Sequence, residues 1–142
     1  MSVHRPMNGA EDMKAQVIAA AGHLLGVFGQ NRVEDYFACF TPDATFIFHG
    51  LNYRLASIAD YRAAWAGWVR DLDLRIIGAW SQNQTVDFIA PGVALFTHSV
   101  QVKASTTAGI EHRRERETVV FVRQPDQRWL GVHEHLSKDP NA

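Results

Sequence analysis

Within residues 11–28, Val17, Ile18, Ala21, Leu24, Leu25 and Phe28 recur at the spacing that gathers apolar side chains on one face of an α-helix. Glu11 and Asp12 stand at its start, where carboxylates favour the helix dipole. Gly29-Gln30-Asn31 stops the pattern, and Val33, Tyr36, Phe37 and Phe40 form the stripe of a short second helix over 33–40, closed by Pro42. Residues 44–49 are rich in β-branched and aromatic side chains and predict a strand. Ser57, with Asp60 three positions on, then offers a capping-box-like start to a third helix running to about residue 70. Tyr61, Ala64, Trp65 and Trp68 share one face of it.

Beyond Asp71 the period changes to that of strands, predicted over 72–80, 85–89, 93–105, 112–123 and 128–136. Turn signals separate them at Ala90-Pro91-Gly92, Thr107-Ala108-Gly109 and Gln124-Pro125-Asp126-Gln127. Helices first and an antiparallel sheet after is the order of an α+β domain in which helices cover one face of a curved sheet. The expected organisation is a flexible tail over 1–10, one domain over 11–138 and a short tail over 139–142.

Side-chain alternation assigns faces to the strands. On 93–104, Ala94, Phe96, His98, Val100 and Val102 are apolar around one histidine, so His98 is expected to point inward. The closing run, Trp129-Leu130-Gly131-Val132-His133-Glu134-His135-Leu136-Ser137, is taken as one unbroken strand. It then places Trp129, His133, His135 and Ser137 on one face and Val132, Glu134 and Leu136 on the other, inward one. On 112–123 both faces are apolar near the end, and residue pattern alone leaves the choice open.

Val33-Glu34-Asp35-Tyr36 ahead of Phe40-Thr41-Pro42-Asp43-Ala44-Thr45-Phe46, then a helix and a sheet, resembles the cone-shaped α+β fold of nuclear transport factor, ketosteroid isomerase and SnoaL-like proteins. Arg116-x-Thr118 and Trp129-x-x-Val132-His133-x-His135-x-Ser137 resemble more narrowly the SnoaL-like branch that includes the association domain of calcium/calmodulin-dependent protein kinase II. The resemblance spans about residues 12–138. It implies a curved sheet around three helices, an apolar pocket between them, and a homodimer or larger ring formed through the sheet. It does not imply one chemistry, because one fold hosts many.

The resemblance can be carried over residue by residue. With Asp43-Ala44-Thr45 as anchor, the steroid isomerase's helix-borne tyrosine falls near Leu24 and its proton-shuttling carboxylate near Phe48. Neither side chain can transfer a proton, so ketosteroid isomerase chemistry is not expected. Of the kinase association domain's pocket, Tyr36 and Trp68 match the tyrosine and tryptophan, Tyr61 stands at the histidine position, and His98, Val119 and Leu136 stand at arginine positions. Without those guanidinium forks a carboxylate ligand is not expected. The same resemblance turns Glu117, Val119 and Phe121 inward.

The candidate site is therefore a pocket holding His98, Glu117 and Glu134 as acid–base groups. Tyr36, Tyr61, Trp68 and Phe121 line it for a small apolar or weakly polar molecule. The competing reading is a buried polar network whose members only satisfy one another. Arg116, Thr118, Trp129, His133 and His135 are expected on the opposite face, as a subunit interface. His133 and His135 could both reach one metal, but no third ligand is evident, and none is expected.

Composition narrows the classes. Hydrophobic residues make up 46% of 142 and charged residues 20%, enough to fill one core. The formal charge of −1 argues against a nucleic-acid partner, and the run His112-Arg113-Arg114-Glu115-Arg116-Glu117 reads as a solvated strand beginning. Cys39 is the single cysteine, which fits a reducing cytoplasm. No apolar stretch is long enough to span a bilayer, so no membrane partner is expected. There is no Gly-rich phosphate loop, Gly-x-Ser-x-Gly elbow or nucleotide fingerprint, and no cofactor is expected. The functional expectation is a binding protein for a small molecule, either a cofactor-independent isomerase, dehydratase or cyclase, or a non-catalytic association or ligand-sensing domain.

Overall fold

The computed structural model describes residues 9–141; residues 1–8 of the expected N-terminal tail, and residue 142, lie outside the described residues. Helix α1 (Gly9–Gly29) buries Val17, Ala21, Leu24 and Val27, the stripe its spacing predicts, shifted so that Ile18 stays 37% exposed. In the turn after it, Asn31 redirects the chain with a positive φ of 58°. The Asn31 side chain accepts a hydrogen bond of 3.0 Å from the Ile76 amide, so the residue that stops α1 also anchors the sheet to it.

Helix α2 (Val33–Phe37) is shorter than expected, and strand β1 (Phe40–Phe48) begins earlier. Pro42 does not close a helix. It lies inside β1 where the strand's pairing is interrupted between Phe40 and Thr45, a position at which its missing N–H costs no ladder bond. Helix α3 (Ile58–Leu72) starts as predicted: the Ser57 hydroxyl accepts from the Asp60 amide at 3.1 Å, and Asp60 accepts from the Ala56 amide at 3.1 Å.

The two strands expected over 72–80 and 85–89 are one, β2 (Arg75–Ala90), because the positive φ of Asn83 (56°) produces a bulge rather than a break. Strands β3 (Val93–Thr106), β4 (Gly109–Arg123) and β5 (Trp129–Lys138) follow as an antiparallel meander. Strand β1 pairs parallel with β5, giving one curved five-stranded sheet in the order β1-β5-β4-β3-β2. The helices pack on one face of it, and the core of Phe40, Phe46, Tyr36, Phe96, Phe121 and Trp65 fills the space between.

One irregularity in β5 decides the site. Phe121 pairs with Gly131 and Val120 with His133, so Val132 is an extra residue and the side-chain parity reverses across it. Trp129 and Gly131 therefore face inward together with Glu134 and Leu136. Strict alternation assigned Trp129 to the outer face with His133, and that assignment is wrong. Gly131 permits the arrangement because the Phe40 ring lies over it, where a Cβ would come within 2.6 Å of Phe40 Cδ1.

Candidate functional site

Between the helices and the concave face of the sheet lies a cavity of about 300 Å³, near the lower end of the range that holds small molecules. One wall is apolar: Leu24 and Phe28 of α1, Tyr61, Trp65 and Trp68 of α3, and Phe48 of β1. The other is a row of acids, Glu115 and Glu117 from β4 and Glu134 from β5, each no more than 8% exposed. Three carboxyl groups on an otherwise apolar surface are costly to desolvate, so their partners determine which of them is charged.

Those partners form one chain. The Tyr36 hydroxyl donates to Glu134 Oε2 at 3.0 Å, which leaves its oxygen to accept from the Tyr61 hydroxyl, 3.0 Å away. Burial, and after it the Glu134 charge, pushes both phenols well above their ordinary range, so both keep their protons as donors. The Glu134 carboxyl is itself pushed well up, first by complete burial and then by the charge of Glu117 and a hydrogen bond with it. The Tyr36 bond opposes that rise without cancelling it. A protonated Glu134 can donate to Glu117. From the other side His98 Nε2 lies 2.7 Å from Glu117 Oε1, while His98 Nδ1 lies 2.6 Å from the Ser81 hydroxyl. Glu117 thus lies between Glu134 on one side and His98 on the other.

A second histidine–glutamate pair stands nearer the rim. His49, in the turn after β1, lies 2.6 Å from Glu115 Oε2, with the histidine side chain 31% and the glutamate side chain 10% exposed. Alternate residues on one strand face are about 7 Å apart. The cavity thus carries two such pairs side by side on β4. Arg113, further along the same row, lines the cavity and is paired with Glu111 at 2.7 Å. Sequence reasoning passed over Glu115, His49 and Ser81. The alternating signs of residues 112–117 suggest a strand end wet on both sides, whereas its odd-numbered row, Arg113, Glu115 and Glu117, borders the cavity.

Of the predicted residues, the structure brings Glu117, Glu134, Tyr36, Tyr61 and Trp68 to one cavity. His98 does not line this cavity: it sits behind Glu117, with both ring nitrogens engaged, and borders a second cavity on the outer face. Phe121 is also inward yet belongs to the core, beside Phe96, and does not reach the cavity. Trp129 is 6% exposed; its indole N–H donates to Gln16 of α1 at 2.9 Å, and its ring lies near Phe88. It is spent within its own chain and offers nothing to an outer interface.

Arg116, Thr118 and His135 do share the outer face, around a separate polar cavity with Thr97, Ser99 and Ser137. His133 is beside them, its Nδ1 at 2.8 Å from the Thr45 hydroxyl. Burial, followed by the neighbouring His135, lowers its pKa, which keeps the ring neutral at pH 7. Among the described residues, no three His, Cys, Asp or Glu side chains are grouped to hold a metal ion, and no helix is long and apolar enough to cross a membrane.

The family model of the SnoaL-like domain matches residues 17–140. No curated protein sequence shows significant similarity to the chain. Among solved structures, a protein from Catenulispora acidiphila in complex with S-DNPA is similar at 15% identity with a TM-score of 0.75, over 92% of this chain and 96% of that one. A candidate scytalone dehydratase from Novosphingobium aromaticivorans is similar at 14% identity with a TM-score of 0.76, over 92% and 86% of the two chains. A candidate calcium/calmodulin-dependent protein kinase II association domain from Xanthomonas campestris is similar at 15% identity with a TM-score of 0.69, over 99% and 95%. At these identities the likeness is one of fold.

Proposed function

This chain belongs to the SnoaL-like domain family, and we propose that it binds a small, largely apolar molecule in the inner cavity and moves a proton on it with its own carboxyl groups. The observation that carries this reading is the placement of Glu117 between His98 and Glu134 at the edge of an aromatic cavity. A carboxylate there is a base aimed at whatever occupies the cavity, and the apolar wall shields the reaction from water. Once Glu117 has taken a proton, Glu134 no longer donates to it and turns its own acid hydrogen to negative charge developing on a substrate oxygen, while Tyr36 and Tyr61 hold that carboxyl in place. His98 works through Glu117 rather than on the substrate. The reaction class is isomerisation, dehydration or cyclisation beside a carbonyl, and the flat rings of Tyr61, Trp65 and Trp68 favour a planar substrate.

The test uses β-tetralone, a bicyclic ketone with acidic C–H bonds next to the carbonyl. NMR follows deuterium entering those positions in D₂O. The wild-type chain accelerates exchange, and Glu117→Gln loses about 10²- to 10⁴-fold of that acceleration, the usual worth of a positioned base. Equal exchange by the two proteins contradicts the reading.

Association is a second, compatible reading. No described helix covers the outer face of the sheet, where Trp80 is 54% and Ile77 44% exposed beside the polar row of Arg116, Thr118 and His135. A second copy of the chain is its proposed cover, through a homodimer or larger ring.

A further inference from the structure

His98 is buried and does not line the inner cavity, but together with Glu117 it borders the polar cavity on the outer face. Its Nδ1 lies 2.6 Å from the hydroxyl of Ser81, a half-buried residue of β2. That hydroxyl in turn accepts from the exposed Gln84 side chain at 2.8 Å. Both contacts depend on the Asn83 bulge, which lets β2 bring Ser81 and Gln84 together before pairing resumes at Thr85. The result is a continuous row of polar atoms from an exposed amide, through Ser81 and His98, to Glu117.

The direction of the row follows from the number of protons available. Gln84 Nε2 can only donate, so it occupies a lone pair of the Ser81 oxygen. An ionised Glu117 requires a hydrogen on His98 Nε2. In the neutral imidazole this leaves Nδ1 as an acceptor, and the Ser81 hydroxyl donates to it. Every bond then points the same way, from the surface toward Glu117.

We propose that Ser81 is a positioning residue that connects Glu117 to solvent through His98, so that the base exchanges its proton from behind the sheet while a ligand fills the cavity. The inference rests on reading Glu117 as the base. In the inward transfer the Ser81 O–H proton passes to His98 Nδ1, the Nε2 proton passes to Glu117 Oε1, and water restores the serine proton, with buffer acid neutralising the hydroxide left behind. The reverse sequence starts from the Nδ1–H tautomer that the inward transfer leaves: Glu117 returns its proton to Nε2, and the Nδ1 proton leaves through Ser81 to water and buffer base, which restores the resting tautomer with no group consumed.

The route is tested in the free protein, without a substrate. NMR of ¹⁵N-histidine-labelled protein reads the His98 tautomer and the rate at which its ring N–H exchanges with water. The wild type is expected to hold the hydrogen on Nε2. Ser81→Ala should keep that tautomer, because Glu117 still accepts from it, but slow the ring-proton exchange several-fold. Ser81→Thr, which keeps a hydroxyl, should restore the rate, and Gln84→Ala, a change at an exposed side chain, should slow it less than Ser81→Ala. Equal exchange in wild type and Ser81→Ala overturns the proposal, as does a His98 ring protonated on both nitrogens at pH 7. Loss of β-tetralone exchange with these NMR results intact would instead count against the reaction assigned to Glu117.

Discussion

The Tyr36 hydroxyl lies 3.0 Å from Glu134 Oε2 across 98 positions of sequence. One partner comes from the short helix α2 and the other from the far side of a bulge in β5. Neither element's own pattern announces the meeting: Tyr36 reads as a member of an apolar stripe, and Glu134 as an acid between two histidines. Their contact links the helices to the acidic row on the sheet and turns a set of buried carboxyls into an ordered chain of donors.

The bulge that makes this contact possible is protected by Gly131. A Cβ there would come within 2.6 and 2.8 Å of the Phe40 ring and 3.3 Å of Val119 Cγ1. Gly131→Ala is expected to destabilise the fold by about 1–3 kcal/mol, the usual cost of overpacking a tight core. Thermal unfolding checks it; an unchanged Tm would mean that the ring moves aside freely.

Glu134 makes stability depend on pH in a defined sense. Its folded pKa is raised above the unfolded value, so its contribution is fully favourable below about 4.3, where the unfolded carboxyl is also protonated. As pH rises past that value the unfolded chain ionises first, and stability declines until the folded group ionises too. Glu134→Gln removes this decline. The Tm of the wild type should fall more between pH 5 and pH 8 than that of the variant, with about 1 kcal/mol corresponding to roughly 3–4 °C in a domain of this size. Parallel Tm profiles would count against a protonated Glu134.

Cys39 is buried, and its thiol is pushed up to about 11 by burial and then by the Asp35 charge. Its Sγ lies 3.4 Å from the Asp35 carbonyl oxygen, to which the thiol donates. Thiolate is the reactive form, so a disulfide reagent at pH 8 should modify Cys39 fully only after denaturant is added. Rapid labelling of the native protein would show that the α2–β1 turn opens.

On the outer face, Arg116 stands between Ser99 and Ser137 in register, next to His135. If a second copy covers this face, Arg116→Glu should lower the mass measured by light scattering toward that of one chain. It should leave the unfolding free energy within about 0.5 kcal/mol of the wild type's when both are compared as single chains. A wild-type protein that is a single chain at every concentration rules out this association.

Much of the fold was legible because local patterns and tertiary demands agree. The α1 stripe, the Ser57 cap and the β3 alternation each appear where their spacing puts them. What sequence could not fix were the bulges. The break expected between residues 80 and 85 proves to be a kink at Asn83 within one strand, and Val132 reverses the parity that assigned Trp129 outward. Gly131, a glycine inside a strand, was the available signal. Glu115 stayed hidden because an alternating charge run looks solvated when one cannot see that α1 and α3 cover one of its faces.

The most direct test of the account is the protonation of Glu134. In protein labelled with ¹³C at the glutamate carboxyls, a titration followed by NMR should show Glu134 titrating well above the ordinary glutamate range. Tyr36→Phe should move the Glu134 titration higher still, because the Tyr36 hydroxyl favours the anion. A Glu134 that titrates near 4.3, the ordinary value for glutamate, would contradict the central claim, since Glu134 would then be an anion and not the acid of the site.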